Sequence, residues 1–253
     1  MATGERIRFV QGGAGKLRVS DGGEGGVPVV LVHGLGSELE TWRPVLDPLR
    51  ASRRAIAYDQ RGHGQSDPAG EYSIAALAAD LARVVEELEL PRFWLAGHSF
   101  SGTVVSAYAA EHPEKLAGVV YVDAVGDASS GEMKEYFRQH DAGMTPERLQ
   151  AAYGEILGPK AKPATRTAVL GSAARMDLKA FAALRRDMGN FDGVSAARKY
   201  GGPRFAIEAE GEDNPFRASH LPGTKRVSIA GVSHWLMLDD PQATGRALEE
   251  VFR

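Results

Sequence analysis

Two hydrophobic rhythms alternate along the chain. Apolar runs at residues 27–32, 93–96, 116–122, 204–209 and 226–229 are nearly continuous, the pattern of strands covered on both faces. Over residues 73–90 the period changes. Ile74, Leu77, Leu81, Val84, Val85 and Leu88 fall on one side of a helix, with Ser73 as its N-cap and Pro91 closing it. Residues 103–111 predict a further helix ending at His112-Pro113, and 240–252 a last one. Such alternation predicts a parallel sheet with helices on both faces. Ahead of it, residues 5–10 and 16–20 read as an antiparallel hairpin at a sheet edge.

Between residues 127 and about 202 the rhythm stops. Thr145-Pro146 and residues 158–163 separate helical stretches that carry Met133, Tyr136, Leu149, Tyr153, Phe181 and Met188 on apolar faces. We therefore expect a core of residues 1–126 and 203–253 with a helical cap over 127–202. Gly22-Gly23-Glu24-Gly25-Gly26 leads into a strand and not into a helix start, so it reads as a turn and not as a phosphate cradle.

At 253 residues the chain suffices for one α/β unit with a sizeable core. It has no cysteine, which excludes disulfides, zinc-thiolate sites and a cysteine nucleophile. Thirty basic and 33 acidic residues give a formal charge of -3 without a basic run, so neither nucleic acid nor an anionic membrane is expected as partner. The start of the chain lacks a secretory signal's apolar core and no segment is apolar enough to span a bilayer, so we expect a cytoplasmic protein.

The chemistry concentrates at Gly97-His98-Ser99-Phe100-Ser101-Gly102, directly after an apolar run. A serine between small residues on a strand-to-helix turn is the layout of a nucleophile elbow, where backbones approach too closely for larger side chains. Ser101 stands where a second glycine is usual. Serine is a poor nucleophile at neutral pH and needs a base and oxyanion donors. Gly231-Val232-Ser233-His234, after the run at 226–229, supplies the candidate base.

Together, His33-Gly34-Leu35-Gly36, the stretch from Tyr58 to Ser66, the elbow at Ser99, and Ser233-His234-Trp235 followed by Asp240-Pro241 resemble the α/β-hydrolase superfamily over nearly the whole chain. The nearest subgroup is the capped serine esterase type. The resemblance implies a mostly parallel eight-stranded sheet with helices on both faces and a cap inserted after the sixth strand. It implies Ser99 as nucleophile, His234 as base, and the amides of Leu35 and Phe100 as oxyanion donors. Asp59, Arg61 and Ser66 then serve architecture, and His33, His63 and His98 structure.

The acid that orients His234 stays open at this point. Many superfamily members place it in a Gly-x-x-Asp pattern after the seventh strand, and the stretch Glu208 to Asn214 departs from that register. Others place it after the sixth strand, where Asp123 stands. We favour Asp123, with Asp213 as the alternative and Glu212 third; Asp127 is a weaker claimant. Trp235 and Phe100 are expected to line the substrate pocket, and Trp42 and Met133 are further candidates. No histidine shows metal-ligand spacing.

The expected activity is cofactor-independent hydrolysis of a small, apolar carboxylic ester. Carbon-carbon bond, lactone or thioester hydrolysis on the same residues, and a lyase, are alternatives within the fold. A small-molecule receptor with little turnover is the rival from another class.

Overall fold

The computed structural model describes residues 4–211 and 213–253. Among them, eight strands form one sheet: β1 (Arg6–Gln11), β2 (Lys16–Gly22), β3 (Val29–Val32), β4 (Ala55–Tyr58), β5 (Phe93–His98), β6 (Leu116–Val122), β7 (Arg204–Ala209) and β8 (Thr224–Ile229). Their spatial order is β1-β2-β4-β3-β5-β6-β7-β8. The first two pairings are antiparallel and the remaining five parallel. The expected mostly parallel sheet is thus present, with the N-terminal hairpin at its edge.

The continuous apolar runs follow from burial on both sides. Val30, Val32, Ile56 and Leu95 pack with Leu81 and Val84 of α2 (Ile74–Glu87) and Val105 of α3 (Ser101–Glu111), after α1 (Arg43–Arg50) in the chain. Their neighbours Val29, Leu31, Ala57 and Ala96 face the other way and join Leu46 and Leu49 of α1. Each fully buried Leu or Val contributes about 1.5–3 kcal/mol, which is why both faces select for apolar side chains. Ser73 caps α2 through its Oγ, which accepts the Ala76 N–H at 3.1 Å. The helix ends at Glu87, before Pro91, because Glu89 turns into the left-handed region at φ +52.

Between β6 and β7 lie α4 (Gly131–Asp141), α5 (Pro146–Leu157), α6 (Pro163–Ala173), α7 (Leu178–Met188) and α8 (Gly193–Lys199). α4 packs on α7 and α5 on α6, whereas α8 packs on α3 in the layer over the sheet. After β8 come the short α9 (Leu236–Asp239) and α10 (Pro241–Val251), which lies beside α1. Among the described residues no helix is long and apolar enough to cross a membrane.

Register places the functional loops. Val32 pairs with Gly97, Gly97 with Tyr121, and Val122 with both His98 and Ile207. The turns after β3, β5 and β6 therefore leave the carboxyl edge of the sheet side by side. The chain winds from β3 to β4 on one side and reaches β5 on the other, so the winding direction reverses there. Open α/β sheets bind ligands in the crevice at such a reversal.

Candidate active site

Ser99 follows β5 with φ +55, a left-handed backbone that costs a non-glycine residue about 1–3 kcal/mol. Among the described residues three non-glycines have positive φ, and Ser99 and Asp123 are two of them. Close approach explains the neighbours. A Cβ on Gly97 would lie 2.6 Å from the Ser101 carbonyl oxygen, and one on Gly102 would lie 2.1 Å from that of Val125. Ser101 is tolerated where glycine is usual because its buried hydroxyl donates to the His33 carbonyl, which also accepts from Gln60 Nε2 at 2.8 Å.

Ser99 Oγ donates to His234 Nε2 at 2.8 Å, and His234 Nδ1 donates to Asp123 Oδ2 at 2.6 Å. An ionised carboxylate only accepts, so the proton sits on Nδ1 and Nε2 is left free to receive one. The other carboxylate oxygen, Oδ1, accepts the Ala209 N–H at 3.0 Å, with Arg217 Nη1 3.6 Å away. Burial pushes the Asp123 carboxyl upward, but the His234 hydrogen bond, the His234 and Arg217 charges and the Ala209 N–H together hold it below the usual carboxylate value.

Two more histidines adjoin this group and stay neutral. His98 Nε2 donates to the His234 carbonyl at 3.0 Å, and its ring centroid lies 4.7 Å from that of His234. Burial and the nearby His234 lower its pKa to about 3. His33 is buried after β3 and is lowered by burial to about 4; its Nδ1 donates to the Gly34 carbonyl and its Nε2 accepts the Gln60 N–H. Uncharged, both pack against the site without opposing a charge on His234.

The turn after β3 lies directly against the serine: a Cβ on Gly34 would stand 3.0 Å from Ser99 Cβ. Leu35 and Phe100 both border the cavity at Ser99. Among the described residues no backbone or side-chain acceptor is paired with the Leu35 or the Phe100 N–H. Both are free to meet a ligand's oxygen.

Ser99 and His234 border two cavities. One, of about 340 Å³, is walled by Phe100, Tyr153, Phe181, Met188 and Trp235. The other, of about 480 Å³, lies between Ile156–Lys160 and Asn214–Arg217, and neither Leu35 nor Phe100 reaches it. The first cavity also carries charged groups that no motif announced, among them Asp141, Arg148 and Arg185. Arg185 is paired with Asp141 at 3.1 Å and lies over the Phe137 ring.

The pocket expectations for Trp42 and Met133 need correction, and the remaining candidates lie as follows. Asp213, the alternative acid, sits on an exposed loop with 67% of its side chain accessible, and its carboxylate accepts from His220 Nε2 at 2.9 Å. Glu212 lies outside the described residues. Asp127 accepts from the Ser129 and Val194 N–H groups. Trp42 is fully buried behind His98, edge to face at 6.3 Å, and does not line either cavity at Ser99; nor does Met133. Asp59 accepts from the Leu39 and Gln65 N–H groups, Ser66 donates to the Asp59 carbonyl, and Arg61 pairs with Asp80, all away from Ser99. His63 is buried against His33.

Comparison with known proteins adds to this geometry. A family model described as the alpha/beta hydrolase fold matches residues 27–169. Over 119 residues the chain is 35% identical to the dihydrolipoyllysine-residue acetyltransferase component of the acetoin cleaving system of Pseudomonas putida, covering 46% of this chain and 32% of that protein. Over 124 residues it is 38% identical to the 2-hydroxy-6-oxo-2,4-heptadienoate hydrolase of Pseudomonas putida, covering 47% and 45%. The matched part is thus less than half the length of these curated relatives. Among solved structures, a thermophilic esterase from Thermogutta terrifontis matches with a TM-score of 0.85 and 22% identity, covering 97% of each chain, a likeness of fold.

Proposed function

The chain belongs to the α/β-hydrolase fold family, and we propose that within it this protein is a serine hydrolase that cleaves a small, apolar carboxylic ester through an acyl-enzyme. One observation carries the reading. The hydrogen-bonded series Ser99, His234, Asp123 stands at a cavity whose wall presents two unengaged N–H groups.

In this mechanism His234 Nε2 takes the Ser99 proton as Oγ attacks the ester carbonyl, and the Leu35 and Phe100 N–H groups receive the negative oxygen. Asp123 stabilises the imidazolium and keeps the tautomer. The imidazolium proton passes to the leaving alkoxide as the carbon–oxygen bond breaks. Water then gives a proton to His234 and attacks the acyl carbon, and Ser99 Oγ leaves with that proton, releasing the acid. The smaller cavity, which adjoins the oxyanion donors, suits a compact acyl group. The larger one touches Ser99 and His234 without those donors, so the alcohol leaves and water arrives there. In this reading α4 to α7 act as a cap, and a small molecule is the partner.

Carbon-carbon bond hydrolysis is a second reading, favoured by the identity with the heptadienoate hydrolase. A panel of p-nitrophenyl esters from acetate to octanoate, run beside a vinylogous diketone acid, separates them. We expect an ester burst stoichiometric with enzyme, and a Ser99→Ala variant slower by about three orders of magnitude or more. Wild-type turnover in that variant would overturn the serine mechanism. Turnover of the diketone alone selects the second reading, and tight binding without a burst selects a receptor.

A further inference from the structure

The Tyr153 hydroxyl, carried on α5, donates to the Leu35 carbonyl at 2.6 Å inside the protein. Leu35 is the second residue of a tight turn. The Ser37 N–H bonds back to the Gly34 carbonyl at 3.1 Å, and Gly36 has φ +65, a value its position in a type II turn requires. A Cβ on Gly36 would lie 2.4 Å from Tyr153 Oη, so glycine serves both the turn and the approach of the tyrosine. Burial pushes the Tyr153 hydroxyl's pKa up, which keeps it a donor. Its ring also packs against Trp235, 6.0 Å between centroids, beside His234.

Glycines flank Leu35 on both sides, so the turn is intrinsically loose. The carbonyl that Tyr153 holds belongs to the peptide following Leu35; the Leu35 N–H, the donor assigned above, belongs to the peptide before it. Pinning one restricts the rotation of the other about the same α-carbon. Oxyanion donors act through preorganisation, so a pinned donor differs in rate from a free one.

Resting on the serine-hydrolase reading, we propose that Tyr153 is a positioning residue: its hydrogen bond to Leu35 aims the oxyanion donor, so that docking of α5 on the core switches the site on. The helices over the cavity then do more than shape it. A site whose α5 has lifted keeps Ser99, His234 and Asp123 together yet lacks an ordered oxyanion turn.

Tyr153→Phe keeps the ring and removes the hydroxyl. We expect kcat for p-nitrophenyl acetate to fall roughly 10- to 100-fold while KM stays within about two-fold, since the bond lost acts on the transition state. Affinity for phenylboronic acid, which forms a tetrahedral adduct on serine, should fall with kcat, and the pH midpoint of kcat should stay put because the base is untouched. Tyr153→Met, which also lacks the hydroxyl and leaves the Gly36 turn unaltered, should give the same signature and covers the case in which Tyr153→Phe folds poorly. A wild-type kcat in either folded variant overturns the proposal, as does a loss confined to KM with boronate affinity unchanged, which would make Tyr153 a wall residue. Ser99→Ala in parallel keeps the two questions apart: wild-type turnover there defeats the hydrolase reading itself.

Discussion

His234 Nδ1 donates to Asp123 Oδ2 at 2.6 Å, joining residues 111 positions apart, and Asp123 holds its carboxylate there from a left-handed backbone at φ +42. The second oxygen is fixed by Ala209 at the end of β7, so the acid is clamped by a neighbouring strand as well as by the imidazole.

Asp123→Asn should therefore leave the fold intact and slow ester turnover by up to about four orders of magnitude, because an amide can hold the wrong tautomer and cannot balance the imidazolium. Asp213→Asn, whose exposed carboxylate accepts from His220 and not from His234, should be close to wild type. Steady-state kinetics of the two variants decides; a larger loss in the Asp213 variant would reverse the assignment.

Acid should destabilise the protein early. His33, His63 and His98 have folded pKa values lowered by burial to about 4, 3 and 3. Their unfolded values lie near 6.5, so between these limits the unfolded chain binds more protons, and stability falls as pH drops below about 6.5 by up to about 1.4 kcal/mol per pH unit for each histidine. Thermal midpoints measured from pH 7.5 down to 4.5 should decline progressively. A flat profile over that range would contradict the burial argument.

Arg61 and Asp80 form a buried pair, Nε to Oδ2 at 2.6 Å and Nη2 to Oδ1 at 2.8 Å, with the Gly13 N–H also on Oδ1. Asp80→Ala leaves a guanidinium buried without its partner and should cost about 3–5 kcal/mol. For a chain of this size that lowers the melting temperature by about 6–20 °C. Calorimetry that finds no change would show that water has replaced the carboxylate.

Ala152 on α5 borders the smaller cavity. Ala152→Phe should lower kcat/KM for octanoate relative to acetate by roughly 10-fold or more, the scale on which an apolar pocket discriminates by size. An unchanged ratio would place the acyl chain in the other cavity.

Much of this was legible locally. The elbow at Ser99 shows as small residues around one serine within six positions, although the contacts that require them also reach Val125 and His33. Helix α2 announced itself by its period and by Ser73, and the strands by continuous apolar runs. The same reasoning erred where long-range packing decides. Trp42 resembled a pocket residue by composition, yet its indole fills the space behind His98. Arg148 and Arg185 carry no local signature and reach the cavity only because the helices between β6 and β7 fold over it.

The sequence by itself determined the sheet and its two-sided burial and singled out Ser99 and His234 as candidates, because short-range sterics and hydrophobic period act within a turn or an element. Which carboxylate meets His234 was for the tertiary structure to decide. Asp123 follows an apolar strand and Asp213 lies in a polar loop, and what brings one of them to His234 is the register of β6 against β7, which sets Asp123 beside Ala209 and leaves Asp213 in solvent on the loop beyond. No local rule carries that information, since it depends on strands brought together from distant parts of the chain.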